Sequence, residues 1–148
     1  MDQKYDDQME ELLEKPCWVI DFLPRQVPAE SAGQYFAVEE FLMSKPQLEE
    51  LYSRFARLLL KCHCYYDFVL GEGETWTENQ YPEELWKTVI RCAESGYCCI
   101  LVLAEHALIT LSGGDLYMTL YDPSEELLKT VKLLAEAEGL FVRFVGEG

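Results

Sequence analysis

Apolar residues alternate, recur at helical spacing or run without a break in different parts of the chain, and each spacing predicts a different element. The clearest stretch is CCILVLAEHALITLSGGDLYMTLYD, residues 98–122. Residues 98–104 are apolar throughout, as expected of a strand covered on both faces. Beyond them the pattern alternates on either side of Gly113 and Gly114, which predicts a two-residue hairpin loop with both glycines at positive φ. That loop would pair Ser112 with Asp115, Leu111 with Leu116, Thr110 with Tyr117 and Ile109 with Met118. Side chains alternate between faces, so Ala107, Ile109, Leu111, Leu116, Met118 and Leu120 form a core face. Leu108, Thr110, Tyr117, Thr119 and Tyr121 form a mixed second face. The three strands are expected to make an antiparallel meander.

The rest of the chain is read the same way. Tyr5, Met9, Leu12 and Leu13 give residues 2–15 a helical stripe that Pro16 ends. CWVIDFL, residues 17–23, alternates as a strand, and Pro24 and Pro28 beyond it point to an edge position or an extended arm. Residues 29–44 fit either a strand or a short helix running through Glu39, Glu40, Phe41 and Leu42. Ser44 and Gln47 read as a capping box. Leu48, Leu51, Tyr52, Phe55, Leu58 and Leu59 then follow at helical spacing to about Lys61. Residues 65–70 read as a strand stopped by Gly71 and Gly73.

GEGETWTENQY, residues 71–81, reads as a long polar loop around Trp76. A helix opens at Pro82, buries Trp86, Val89, Ile90 and Ala93, and stops at Gly96. Asp122, Pro123 and Glu125 predict another helix start, with Leu127, Leu128, Val131, Leu134 and Ala135 as its apolar face and Gly139 as its stop. Residues 140–145 alternate as a last strand. From Pro82 the order is α-β-β-β-α-β. Helices with one apolar stripe hide best against one face of a sheet. The expected architecture is a single α+β domain over residues 1–148, two-layered, with a mainly antiparallel sheet and helices on one face.

Composition changes the picture in two ways. At 148 residues and 49% hydrophobic content, the chain has ample material for a core. Its formal net charge is −15, from 27 acidic and 12 basic residues. The excess runs through both halves, with 15 acids to 7 bases up to Glu74 and 12 to 5 after it. Such a surface repels phosphates, so neither nucleic acid nor an anionic membrane is an expected partner. The acidic N-terminus does not read as an export signal, and residues 98–104 are far short of a membrane span. Cys17, Cys62, Cys64, Cys92, Cys98 and Cys99 fall in apolar or helical patterns, which reads as reduced thiols in a cytoplasmic protein.

Candidate chemistry is sparse. Cys62, His63 and Cys64 are good zinc ligand types, but a closed site needs four ligands, usually in two spaced pairs, and no second pair exists. Cys98 and Cys99 are adjacent in a strand and point to opposite faces. A cysteine nucleophile needs a base and an orienting group, and only His63 and Asp67 lie near in sequence. His106 falls in a turn. Gly71 and Gly73 make too short and too acidic a loop to cradle phosphate. No catalytic residue, metal or cofactor is therefore expected.

What remains are two surfaces. One is the loop carrying Glu72, Glu74, Trp76 and Glu78. The other is the face with Thr110, Tyr117, Thr119 and Tyr121, where hydroxyls interleave with rings. WVIDFLPRQVP, residues 18–28, resembles the opening of a family of small bacterial cytosolic proteins of unknown function, and the resemblance implies no reaction. The leading expectation is a non-enzymatic acidic interaction module whose partner is another protein, a basic one or a second copy. The alternatives are a small-molecule binder or enzyme with a pocket near residues 71–81, and an immunity-type neutraliser of a basic toxin or nuclease.

Overall fold

The computed structural model describes residues 2–94 and 96–147. In chain order these form α1 (Asp2–Leu12), β1 (Pro16–Asp21), a 3-10 turn (Ala29–Ser31), α2 (Ala32–Leu42), α3 (Gln47–His63), β2 (Phe68–Glu72) and β3 (Thr75–Glu78). Then follow α4 (Pro82–Glu94), β4 (Tyr97–Val102), a 3-10 turn (Leu103–Glu105), β5 (Ala107–Ser112), β6 (Tyr117–Tyr121), α5 (Glu125–Ala137) and β7 (Phe141–Glu147). The strands make one seven-stranded sheet in the order β3-β2-β4-β5-β6-β1-β7. Every neighbouring pair is antiparallel. The α+β architecture and the 98–122 meander follow the pattern in the sequence.

Helices α3, α4 and α5 cover one face. The stripe at helical spacing on α3 buries Leu48, Leu51, Tyr52, Phe55, Leu58 and Leu59. It joins one core cluster with Ile20, Ile100, Ile109, Met118 and Leu120 of the sheet. Each such side chain contributes about 1.5–3 kcal/mol by leaving water. Leu127, Val131 and Ala135 bring α5 into the same core.

An ion-paired clamp fixes α5 to α3. Arg57 Nε donates to Glu138 Oε1 and Lys61 Nζ to Glu138 Oε2, each at 2.7 Å. Burial by itself raises the Glu138 carboxyl, but the hydrogen bonds from Lys61 and Arg57 outweigh it and hold the group below the usual carboxylate range. A depressed folded-state value contributes stability above the unfolded pKa of about 4.3, which is lost as pH falls through the folded value. Glu138→Gln is expected to remove about 1–2 kcal/mol at neutral pH, the low figure reflecting the half-exposed cations. Chemical denaturation at neutral pH and in acid should show the two proteins converging as Glu138 protonates.

Helix α1 adds a partial cover to the other face of the sheet. Tyr5 and Leu12 pack on Val69, Cys99, Leu101 and Leu108, with Met9, Leu13 and Trp76 alongside. Cys98 belongs to the first core and Cys99 to this second one, on opposite faces.

Several local expectations are corrected. The β5–β6 register pairs Leu108 with Tyr121, Ile109 with Leu120 and Thr110 with Thr119, displaced by two residues from the expected pairing. The connection is therefore residues 113–116, and Gly114, not Gly113, takes positive φ, at 92°. Because the shift is two, each side chain keeps its expected face. The Tyr52 hydroxyl holds this longer loop, lying 2.9 Å from Ser112 O and 2.7 Å from Asp115 O.

The capping box at Ser44 does not form. The Ser44 hydroxyl turns instead to two acceptors, Phe41 O at 2.6 Å and Gln47 Oε1 at 3.1 Å, and no side chain caps the α3 amides. Pro46 is the N-cap of α3 and follows a cis peptide bond from Lys45. Asp122 does not cap α5, since it sits at φ 55° with its amide bound to Pro16 O; Ser124 Oγ accepts from Leu127 N instead.

β1 is not an edge strand but lies between β6 and β7. It tolerates its prolines because Pro16 is its first residue and Pro24 lies beyond its end. Residues 71–81 are mostly not a loop. They complete the β2–β3 hairpin, whose turn places Gly73 at φ 64°.

Candidate interaction surface

Helix α1 leaves part of the second sheet face open across β6, β1 and β7. Cross-strand register sets Thr119 beside Val19 and Val19 beside Arg143, and sets Tyr117 beside Asp21 and Asp21 beside Phe141. Thr110 faces Thr119 from β5. Tyr97 extends the row on β4. Tyr97, Tyr117 and Phe141 are each about two-fifths exposed, at 43%, 40% and 39%.

Burial pushes the phenols of Tyr97 and Tyr121 up, and Tyr121 also hydrogen-bonds Thr110. Burial raises Tyr117 too, and the neighbouring Asp115, Tyr121 and Asp21 add to it. These hydroxyls therefore stay protonated at neutral pH and can donate as well as accept hydrogen bonds. The expected set Thr110, Tyr117, Thr119 and Tyr121 lies on this face, with Tyr121 half-buried against the α1 core and Tyr117 the most open of the four.

At one end the face runs into a cleft of about 280 Å³, lined by Asp21, Leu23, Arg25, Val27, Pro28, Tyr35 and Arg143 among others. Arg143 Nη2 donates to Asp21 Oδ2 at 3.0 Å, and Asp21 Oδ1 accepts from Phe22 N at 2.7 Å. Helix α2 forms the far wall. Its Tyr35 hydroxyl donates to Glu39 at 3.3 Å, and its Leu42 packs against the first core.

None of the residues of α2 is buried. Phe36 is 61% exposed, Val38 48%, Phe41 60% and the adjoining Met43 37%. Val38 and Phe41, three residues apart, share one side of the helix, and Phe36 lies further round it, on the side of the cleft. Acids rim this apolar helix. Glu30, Glu39 and Glu40 lie on or beside it, and Asp115 stands in the hairpin connection, raised by its burial and by Glu39.

The second expected set, Glu72, Glu74, Trp76 and Glu78, lies at the opposite side of the sheet on β2, β3 and their turn. Most of it holds the fold together. Glu72 accepts from Arg91 at 2.7 and 3.1 Å, and Glu78 accepts from the Tyr5 hydroxyl at 2.9 Å. Trp76 Nε1 donates to Asp6 Oδ1 at 2.8 Å, and its ring lies 5.7 Å from that of Tyr5. Glu74 is exposed in the turn.

The remaining candidates are separated. His63 stacks on Phe68 at 4.7 Å with Nδ1 2.9 Å from Tyr66 O, and burial pushes the Cys62 thiol up to about 12. His106 is exposed in a left-handed turn at φ 48°. Among the described residues no group of three or more His, Cys, Asp or Glu side chains is placed to hold a metal ion. No described helix is long and apolar enough to cross a membrane.

Asp21, Tyr35, Phe36, Phe41 and Arg143 escaped sequence reasoning. The one signal that could have found them is FAVEEFLM, whose apolar residues fit no single helical stripe. No family model, curated protein or solved structure matches this chain.

Proposed function

We propose that this chain is a non-enzymatic, acidic interaction module that docks a basic protein on α2 and the adjoining tyrosine face. The observation that carries the reading is the helix with Phe36, Val38, Phe41 and Met43 in water and no residue buried. Isolated apolar residues on a surface are ordinary, whereas a contiguous group rimmed by polar residues marks a contact site. Covering a phenylalanine such as Phe41 is worth about 1.5–3 kcal/mol, and Val38 on the same side of the helix adds to the anchor.

Tyrosine and threonine beside the helix supply contact area and hydrogen bonds with few rotors to freeze. The acidic rim steers a basic partner. Its on-rate falls as salt rises, because the Debye length shrinks from ~30 Å at 0.01 M to ~8 Å at physiological strength.

The test compares capture from native lysate by the wild type and by a Phe36→Ser/Phe41→Ser double variant, at low and physiological salt. A basic protein held by the wild type, weakened by salt and lost with the double variant is expected, with the melting temperature unchanged. Equal capture by both proteins contradicts the proposal. A small-molecule binder is the second reading, favoured by the cleft of about 280 Å³ beside Arg143. A thermal-shift screen that finds a strongly stabilising metabolite would favour it.

A further inference from the structure

The two edges of the sheet are built differently. β3 is four residues long and is bracketed by Glu74 and Glu78. Short length and charge are the usual means by which a sheet edge discourages further pairing. β7 is guarded more lightly, by a bulge at Val145 between the partners of Trp18 and Cys17 and by one acid, Glu147, at its last residue. It is seven residues long, and residues 139–146 contain no acid in a chain that has 27. Its one charge in that span, Arg143, is turned to the second face and paired with Asp21.

The strand also exposes apolar side chains, with Phe144 at 59%, Val145 at 55% and Phe141 at 39%. Helix α5 leads directly into this strand and exposes Leu133 at 61% beside Lys129 and Lys132.

We propose that a second copy of this chain pairs with β7 along its free edge, joining two sheets into one. Charge argues for where such a contact sits. Two copies at −15 each repel, so they approach where the local charge is least negative. Helix α5 and β7 hold Lys129, Lys132 and Arg143 against Glu125, Glu126, Glu136 and Glu147, and Glu138 between them is paired with both Arg57 and Lys61, so this patch carries far less than its share of the negative charge.

Antiparallel pairing of β7 with its own copy is isologous, so the same patch serves both partners and the assembly closes. The two-fold axis stands perpendicular to the joined sheet. The tyrosine faces of both copies then lie on one side, and the two α5 helices flank the seam on the other. The pairing does not depend on what docks at α2.

Sedimentation equilibrium of the full chain, from submicromolar to hundreds of micromolar, tests this. The expected result is a species of twice 17.1 kDa. Leu133→Asp and Val145→Lys, both at exposed positions, should each return it to the monomer mass with unchanged far-UV circular dichroism. Hydrogen exchange at dimer-forming concentration should slow in residues 141–147 and not in 75–78. A monomer at every concentration overturns the proposal, including the case in which β7 is kept for a strand of another protein. A dimer that survives both substitutions with unaltered exchange in β7 overturns it as well.

Discussion

Gly71→Val should destabilise the fold by about 3–5 kcal/mol, enough to be seen in any denaturant melt. Gly71 is buried in β2 between Trp76 of β3 and Cys99 of β4, its partners across the sheet. A Cβ there would stand 2.8 and 3.0 Å from the Trp76 ring and 3.0 Å from Cys99 Sγ. A valine adds two methyls to that. The Cys99 thiol is fixed in the α1 core, so the indole must leave.

Leaving breaks the Trp76 bond to Asp6 and the packing on Tyr5, the contacts that tie α1 to the hairpin. The cause is separable by a double-mutant cycle. Trp76→Ala should itself be costly, and Gly71→Val should then add about 1 kcal/mol or less, because the ring it collides with is gone. Additive losses would show that the glycine is needed for another reason.

Phe55→Ala is expected to cost about 3–5 kcal/mol. Phe55 has 0% exposure at the middle of α3 and meets Tyr52 edge to face at 5.3 Å. Tyr52 in turn holds both carbonyls of the β5–β6 connection. The cavity therefore loosens the ring that pins the hairpin as well as losing a buried phenyl group. Thermal unfolding should show the loss. Phe55→Leu, which leaves a smaller void, should recover more than half of it. By contrast Phe36 and Phe41 are 61% and 60% exposed. The same chemical change there should leave stability nearly unaltered while altering binding.

How far the sequence could be read follows from which forces acted locally. The core faces of β4, β5 and β6 were legible because alternation survives a shift of two residues, and for the same reason the pattern could not detect that shift. What set the register was Tyr52, distant in sequence, reaching Ser112 O and Asp115 O. β3 was hidden because TWTE offers a single apolar side chain, and that side chain answers to Gly71 and Tyr5 rather than to a period.

The position of β1 between β6 and β7 was hidden too, since its long-range pairing leaves no trace in CWVIDFL itself. At the candidate surface, the tyrosines and threonines of the hairpin were visible from alternation. Asp21 and Arg143 were not, because 122 residues separate them along the chain. Helix α2 showed no stripe for a simple reason: it has little core to face.

The docking claim is tested most directly by a photo-cross-linking residue placed at Phe41, with a control at Tyr65, which is 71% exposed at the other end of α3. One basic protein should be joined covalently from position 41 in native lysate and be absent from position 65. Identical adducts from both positions, or adducts from position 65 alone, would contradict it.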